Sequence, residues 1–271
     1  MTTDPVAPTV EEVAREAIGW LATGPEALRL DDPRFVLLDR PLPETWFAVA
    51  LRLRLEPGGV DEAIRTARAW FAAHGRREFA WFVSDDTTPP DLADRLLTAG
   101  AVADGTLTAM VLDREPDPAQ EPVDIRPVRT FDEFLLHVRI TVEGFAFPPD
   151  QAAAAVAGAT EAWRHWQTEP GRIFYLAWLD GEPVAEAGIA PSSAGPMVLS
   201  GGATLTAARG RGAYRALVRA RWDEAVRRGH PQLVVQASAM SRPILERLGF
   251  RAVGEVRMFL DRLEDPPANP G

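Results

Sequence analysis

The amino-acid sequence predicts an α/β (α+β) fold of two modules, each with a mixed, largely antiparallel sheet flanked by helices. Segments with strand alternation and segments with helical periodicity follow one another along most of the chain. A stretch rich in proline and charge, residues 113–122, lacks this periodicity and is typical of a linker. The same order of elements stands on either side of it, which indicates a duplication.

The first half supplies the simpler copy of the repeated unit. In chain order we predict a strand over residues 45–55, a helix from Gly58-Gly59 to about Ala73, a buried strand over 78–83, a helix over 90–99 and a strand that ends at Asp113.

The second half repeats this unit behind a fuller front segment. That segment is predicted to hold a strand over 123–129, helices over 131–143 and 150–167, and a hairpin of strands 173–179 and 183–190 around Asp180-Gly181. The unit follows as a strand to Leu205, a helix from Gly210–Gly212 to about Arg228, a strand over 233–236, a helix over 242–248 and a strand that ends at Asp261. Equivalent positions are offset by 148 to 154 residues, as loops of different length would produce.

These patterns divide the chain into four parts. Residues 1–115 form the first module, 116–122 the linker and 123–263 the second module. Residues 264–271 form a flexible tail.

Composition excludes several classes of enzyme. The chain has 271 residues with no Cys and no Lys, so that all 29 basic residues are Arg. Without Cys there is no thiol nucleophile or thiolate zinc site, and without Lys there is no Schiff-base enzyme and no Walker-type phosphate loop. The four His residues lack a second ligand at metal-binding spacing, so we predict no metal site.

Charge is distributed unevenly along the chain. The net charge is −10, and residues 1–115 hold 12 Arg against 20 acidic residues, whereas 209–228 hold seven Arg against two. One basic patch on an acidic protein suits a phosphorylated small molecule better than nucleic acid. The start of the chain lacks the pattern of a signal peptide and no stretch approaches 18 apolar residues, so we expect a cytoplasmic protein without membrane contact.

The basic patch begins in a glycine-rich turn, A-R-G-R-G-A-Y-R-A-L over residues 208–217, between a predicted strand and a predicted helix. Glycine lets the backbone approach a ligand closely, and the first turn of a helix leaves its N–H groups free. The turn is therefore a candidate anion site made of backbone. The alternative is a plain turn followed by a solvated Arg face.

This segment resembles the acyl-CoA signature of the GNAT superfamily of N-acyltransferases, which reads Gln or Arg, two residues, Gly, one residue, then Gly or Ala. Arg209, Gly212 and Tyr214 take the three defined places, and Tyr214 departs from the small residue of the family. The resemblance continues through PILERLGFRAVGE, residues 243–255, and covers roughly 123–261. It implies acetyl-CoA as co-substrate, with its pyrophosphate held by the backbone of Arg209, Gly210, Arg211, Gly212, Ala213 and Tyr214.

The first module resembles the family only in outline. It has E-P-G-G-V, residues 56–60, where the second module has the turn, with an acid and no Arg. We predict that this degenerate GNAT-like module binds no coenzyme and acts as a structural partner that could wall the acceptor site.

Paired glycines interrupt the strand before the turn. Gly201-Gly202 within MVLSGGATL indicate a bulge or a close backbone approach. The resemblance implies that a backbone N–H here polarises the thioester carbonyl, with the pantetheine along Gly202 to Leu205, so Ala203 and Leu205 are assigned to the coenzyme. A sheet kink without a ligand is the alternative.

The proton donor for the departing thiolate is not at the family's usual place. Leu245 stands at the position of the family's Tyr and Ser238 at that of its Asn. Ser238 is a candidate catalytic residue and Ser241 a candidate coenzyme contact, although both also fit a helix cap before Arg242-Pro243. Tyr214 is a further candidate if its ring turns back into the cleft.

Two carboxylates are candidates for the acceptor side of the site. Glu186 lies in the middle of a predicted strand, where burial requires a carboxylate to be paired or functional. Glu143 lies where the family's acceptor-covering loop falls. The alternatives are an exposed strand face for Glu186 and a helix end for Glu143.

The resemblance and these residues predict an enzyme that transfers an acetyl group from acetyl-CoA to the amine of a small-molecule or amino-acid-like acceptor. Attack would be direct, within a ternary complex, because no Cys can carry the acyl group. The alternatives are a non-catalytic acyl-CoA sensor or interaction module, and an enzyme that acylates a hydroxyl or uses a longer acyl chain. The sequence leaves a homodimer open.

Overall fold

The computed structural model describes residues 7–42, 47–118 and 122–263. The predicted tail, residues 119–121 of the predicted linker and the first two residues of the strand predicted over 45–55 lie outside the described residues. Within the described ranges no helix is long and apolar enough to cross a bilayer. The same ranges contain no group of three His, Asp or Glu side chains that could hold a metal ion.

The first half contains four helices and five strands within the described ranges. In chain order these are α1 (Val10–Arg15), α2 (Ala17–Trp20), β1 (Leu28–Asp32), β2 (Phe35–Asp39), β3 (Ala48–Leu51), α3 (Val60–Ala73), β4 (Glu78–Ser84), α4 (Leu92–Thr98) and β5 (Val102–Leu112).

The second half contains five helices and six strands within the described ranges. They are β6 (Asp124–Pro127), α5 (Phe131–Gly144), α6 (Pro149–Ala157), α7 (Ala159–Thr168), β7 (Ile173–Leu179), β8 (Glu182–Pro191), β9 (Met197–Thr204), α8 (Ala213–Arg227), β10 (Leu233–Ala237), α9 (Arg242–Arg247) and β11 (Arg251–Arg262).

The described strands form one continuous sheet, in the order β1-β2-β3-β4-β11-β5-β10-β9-β8-β7-β6. Only β3–β4 and β9–β10 are parallel neighbours, which confirms a mixed, largely antiparallel sheet. β11, the last strand of the second half, pairs with β4 and β5, and β5, the last strand of the first half, pairs with β10. The two halves have exchanged their last strands, and each completes the sheet of the other.

Two features of the fold differ from the sequence prediction. The first half also has a front segment, α1, α2, β1 and β2, which the sequence prediction missed; the front segment of the second half is the fuller of the two, as predicted. The helices are only six and four residues long, and Phe35–Asp39 is buried throughout, so neither pattern shows clear periodicity. The single helix predicted over 150–167 is two helices, with Gly158 ending α6 and preceding α7.

Helices cover both faces of the sheet and place the candidate site. On one face α8 and α9 pack on β7 to β10, and α3 and α4 pack on β3 and β4. On the opposite face α1 and α2 cover the centre, and α5 packs on β7, β8 and β9. The open ends of β9 and β10 therefore lie between α8 on one face and α5 on the other.

Candidate active site

The parallel pair β9–β10 is joined over only two residues. Met197–Val198 pair with Leu233–Val234, and towards their C-terminal ends the two strands share no hydrogen bond in the described part of the chain. The gap between residues 199–204 and 235–237 is called the β9–β10 slot below. It exposes unpaired strand backbone to a ligand.

The predicted bulge lies at this slot and is confirmed. Gly201 and Gly202 of β9 stand opposite a single residue of β8, Ala187. Both glycines have positive φ, 61° and 131°, which side chains rarely allow. The bulge directs the Gly202 N–H to Oε1 of Glu186, which accepts it at 3.3 Å.

The glycine-rich turn leads from the slot directly into α8. Gly212 caps the helix with a left-handed φ of 84° and offers no side chain to it. The N–H groups of the first turn, from Ala213 to Arg215, therefore lack a helical or side-chain acceptor in the described structure. Together with the positive end of the helix dipole they form a backbone anion site.

Arg209 ties this turn to both neighbouring elements. Its Nη2 donates to the carbonyl of Gly144 at 3.1 Å, and its Nε donates to the carbonyl of Thr204 at 3.3 Å. Arg211 lies on the outside and pairs with Asp180 at 2.7 Å. The turn is thus anchored to α5 and β9 by Arg209.

Tyr214 turns its ring back onto the bulge. A Cβ placed on Gly202 would lie 2.8 Å from Cε2 of Tyr214 and 3.2 Å from its hydroxyl. On the other side, Cζ of the fully buried Arg221 lies 5.5 Å from the ring centroid. The phenol is therefore held beside the backbone N–H groups of the slot.

Glu186 and His137 form a close pair on the α5 face of the bulge. Glu186 is fully buried, and its Oε2 lies 3.0 Å from Nδ1 of His137. The imidazole is packed against two rings, with centroid distances of 5.5 Å to Phe134 and 4.5 Å to Phe174. A carboxylate and an imidazole are thus fixed next to the Gly202 N–H.

A buried ionic cluster continues from β9 into the first half of the chain. Ser200 accepts a hydrogen bond from Nη1 of Arg172 at 2.8 Å, and Nε of Arg172 donates to Glu169 at 2.6 Å. The other oxygen of Glu169 lies 3.4 Å from Nε of Arg40, which follows β2, and 3.5 Å from Nε2 of His165. The first half therefore contributes the Arg40 guanidinium to the buried ionic cluster beside β9.

Burial and charge shift the pKa values in this cluster in opposite senses. Burial alone would raise the pKa of Glu169, but the nearby His165, Arg172 and Arg40 outweigh it and lower the pKa to about 2. Burial lowers the pKa of Arg40 to about 10, against the opposing charge of Glu169. Glu169 is an anion at neutral pH and holds the two guanidinium groups together.

The other sequence candidates lie around the slot in different settings. Ala203 lies on the β9 side of the slot and Leu205 directly follows β9; their contact with a coenzyme stays a prediction. Ser238 accepts the Ser241 N–H at 3.3 Å in the turn before α9, and Ser241 at the N-cap makes no side-chain bond to a helix N–H, so the structure shows no side-chain cap there. Glu143 is exposed on the last turn of α5 and is not brought to Glu186; its role stays a prediction.

The equivalent gap in the first half is closed. Beyond β3 and β4 the chain pairs again, because the Thr88 N–H donates to Leu53 at 3.2 Å and Thr88 accepts from the Leu55 N–H at 3.0 Å. Leu53 and Leu55 are both buried in the core. This closure supports the prediction that the first module binds no coenzyme.

Sequence reasoning missed His137 and Arg221. His137 lies 49 positions before Glu186 and shares no local motif with it, so nothing along the chain pairs them. Arg221 belongs to the Arg-rich helix, and its neighbours in sequence give no sign of burial. The seven-residue spacing from Tyr214, which places both on one face of α8, was the one available signal.

Comparison with known proteins identifies the fold. No protein-family model and no curated protein matches the chain. Among solved structures, a GCN5-related N-acetyltransferase from Kribbella flavida is similar with a TM-score of 0.70 and 19% identity, over 98% of each chain. A tandem GNAT protein from the clavulanic acid biosynthesis pathway matches 98% of this chain and 91% of its own, with a TM-score of 0.59 and 16% identity.

A third similar structure is a GCN5-related N-acetyltransferase from Sphaerobacter thermophilus, with a TM-score of 0.58 and 15% identity over 87% of this chain and 83% of its own. The chain has the tandem GNAT fold, as the sequence predicts.

Proposed function

We propose that the protein is an acyl-CoA-dependent N-acyltransferase that transfers an acetyl group from acetyl-CoA to the amine of a small-molecule acceptor. The observation that carries the proposal is the continuity of three features: the open β9–β10 slot, the bulge at Gly201-Gly202 and the backbone anion site at the start of α8. A linear ligand with a diphosphate at one end and a thioester at the other fits this arrangement.

The residues present fit such a coenzyme. The free N–H groups of the first turn of α8 and the Arg side chains around Gly212 would hold the diphosphate. The edge of β9 that faces the slot, up to Thr204, would bond the pantetheine amides as a neighbouring strand does, whereas the Leu205 N–H already donates to Val184 at 2.9 Å. When bound, acetyl-CoA supplies the activated acyl group.

Tyr214 is assigned as the proton donor to the leaving sulfur. The family's Tyr position is Leu245, which is buried in the core and cannot donate. The Tyr214 hydroxyl instead lies beside Gly202, on the α8 face of the slot. Glu186 supplies a negative charge on the opposite, acceptor face, where it favours a cationic amine.

A sensor without catalysis is the second candidate. It is favoured by one observation, the bond from the Gly202 N–H to Glu186, because an N–H engaged in this way does not polarise a thioester until the bond is exchanged. Coenzyme binding is expected under both functions, and turnover separates them.

Titration calorimetry with acetyl-CoA tests the anion site. Gly212→Glu places a carboxylate where the diphosphate would lie, and binding should fall by more than about 100-fold, a loss of roughly 3 kcal/mol. Gly229→Glu is the matched control. It lies at the other end of α8 with a similar φ, 80° against 84°, and equally open surroundings, so its backbone strain is comparable. Equal affinities of both variants and the wild type would refute the assignment.

A further inference from the structure

We propose that His137 is the group that takes the proton from the acceptor amine, and that Glu186 is a positioning residue that orients this imidazole. The inference rests on the proposed function and names the base of the same site. It changes the role expected for Glu186, which the sequence suggested as a carboxylate that acts on the acceptor directly.

His137 is accessible to a substrate, whereas Glu186 is not. A general base must reach the proton that it removes, directly or through one water. Glu186 has no exposed surface, and both of its oxygens face protein groups, the Gly202 N–H and Nδ1 of His137. The His137 side chain keeps 12% of its surface exposed. Of the two groups, the imidazole is the one that a substrate can meet.

The imidazole of His137 is oriented with Nδ1 towards Glu186. Nδ1 of His137 and Oε2 of Glu186 are buried 3.0 Å apart and neither has another hydrogen-bond partner in the described structure, so the proton of the neutral ring is favoured on Nδ1 and the lone pair on Nε2. No described residue forms a hydrogen bond with Nε2. Phe134 and Phe174 hold the ring at this angle. The arrangement follows the logic of a carboxylate that fixes the tautomer of a catalytic imidazole.

The described elements around His137 place few charged side chains near its ring. The elements packed against α5 are α6, α7, β7, β8 and β9, and of their charged or titratable side chains only Glu186 contacts the ring within the described structure. The others on these elements are Asp150, Glu161, Arg164, His165, Tyr175 and Glu182, and those on α5 itself are Asp132, Glu133, Arg139 and Glu143. Glu186 is therefore the charged group that the imidazole faces.

The proton and bond changes balance. Nε2 of His137 takes one proton from the ammonium group of the acceptor, and the freed lone pair forms the C–N bond while the C–S bond breaks. Tyr214 gives its proton to the departing sulfur and regains one, through solvent, from the second proton that the nitrogen loses. His137 then releases its proton to solvent, so the reaction yields an amide, a thiol and one proton.

Three full-length variants test the pair: His137→Gln, Glu186→Gln and, as control, His74→Gln, whose ring lies on a helix end of the first half. We expect His137→Gln to lower kcat for thiol release from acetyl-CoA by about 10²- to 10⁴-fold with an unchanged dissociation constant for acetyl-CoA. His74→Gln should retain the wild-type rate. Unchanged coenzyme binding shows that the slot is folded.

NMR of the His137 ring protons gives a readout that does not need turnover. The chain has only four His residues, so NMR of the ring protons assigns His137 by its loss in His137→Gln. Glu186→Gln removes the carboxylate that faces Nδ1, and we expect the ring-proton resonances of His137 to shift and the pH profile of kcat to change.

Two results would overturn the inference: a kcat for His137→Gln within about threefold of the wild type, or His137 ring-proton resonances and a kcat pH profile that Glu186→Gln leaves unchanged. Failure of the proposed function looks different. In that case the wild type releases no thiol with any amine, while NMR of the ring protons in the wild type and in Glu186→Gln still decides whether His137 and Glu186 interact.

Discussion

At the scale of single residues, Tyr214 shows how a departure from a motif acquires a role. The family has a small residue at this place, and the larger side chain folds back so that its hydroxyl lies beside Gly202. Its main-chain N–H remains part of the anion site. In the proposed function one residue thus contributes backbone to the coenzyme and a phenol to the reaction.

Tyr214→Phe is therefore expected to lower kcat by about 10²-fold without changing acetyl-CoA affinity, since only the hydroxyl is lost. The chain has one other Tyr, Tyr175, which is buried in the core and has a pKa raised to about 12 by burial. Tyr175→Phe is the matched control and should keep its rate. Stopped-time thiol release and calorimetry measure both effects, and a fully active Tyr214→Phe enzyme would remove the assignment.

Glu169 makes a residue-scale prediction about stability and pH. Its pKa falls from the ordinary 4.5 to about 2 in the folded protein, so its contribution is complete above pH 4.5 and is lost as the pH falls towards 2. The contribution at neutral pH is on the order of 3 kcal/mol.

Urea unfolding of Glu169→Gln should show this destabilisation at pH 7 and less than about half of it at pH 3. Glu161→Gln, an exposed acid on the same helix, should change the unfolding free energy by less than about 0.5 kcal/mol at either pH. A Glu169→Gln difference that is the same at both pH values would contradict the assignment.

Sequence reasoning reached one member of the catalytic pair and not the other. Glu186 is conspicuous because a carboxylate within a buried strand requires a partner. The partner is His137, and its proximity arises only when α5 packs across β8 and β9. Side chains that meet through tertiary packing leave no periodic mark in a single sequence.

At the scale of elements, the parallel pairs β3–β4 and β9–β10 are each joined over two residues and differ beyond that point. Arg52 follows β3 with a φ of 57° at the place where Gly201 follows the bonded part of β9 with a φ of 61°. The first pair is then closed by Thr88, whereas the second stays open. The paired glycines of β9 predicted the bulge beside the open slot, but closure of the other gap depends on contacts with a distant loop.

The contact of α5 with β9 offers an element-scale prediction. A Cβ on Gly144 would lie 2.7 Å from Cβ of Ala203 and must push the helix away from the slot. Gly144→Ala should lower the unfolding free energy by about 1–3 kcal/mol and also reduce kcat, because α5 carries His137. Thermal unfolding and thiol release test both.

Gly158→Ala provides the control for this substitution. Its added Cβ would lie 3.4 Å from the nearest atom, the Ala154 carbonyl oxygen, and its φ is −77°, so little must move. Its stability should stay equal or rise by up to about 1 kcal/mol. Equal behaviour of Gly144→Ala and Gly158→Ala would show that the α5–β9 approach does not matter.

At the scale of the whole molecule, the exchanged strands make the halves interdependent. The sequence repeat revealed two modules, yet it could not reveal that β5 completes the second and β11 the first, since both pairings join residues far apart in the chain. The buried pairing of Arg40 with Glu169 adds a second link between the halves.

A fragment of residues 122–271 should therefore not fold alone, because β10 would lack β5 and β11 would lack β4. Co-expression with residues 1–118 should restore a complex that elutes with both fragments in size-exclusion chromatography. A soluble, fully active 122–271 fragment would contradict both the exchange and the structural role of the first module.

The most direct test of the account is thiol release from acetyl-CoA across a panel of small-molecule amines, with the wild type, Gly212→Glu and Gly229→Glu compared. The account predicts release above the hydrolysis background with at least one amine class, lost in Gly212→Glu and kept in Gly229→Glu. Tight binding of acetyl-CoA with no release for any amine would contradict catalysis and favour the sensor.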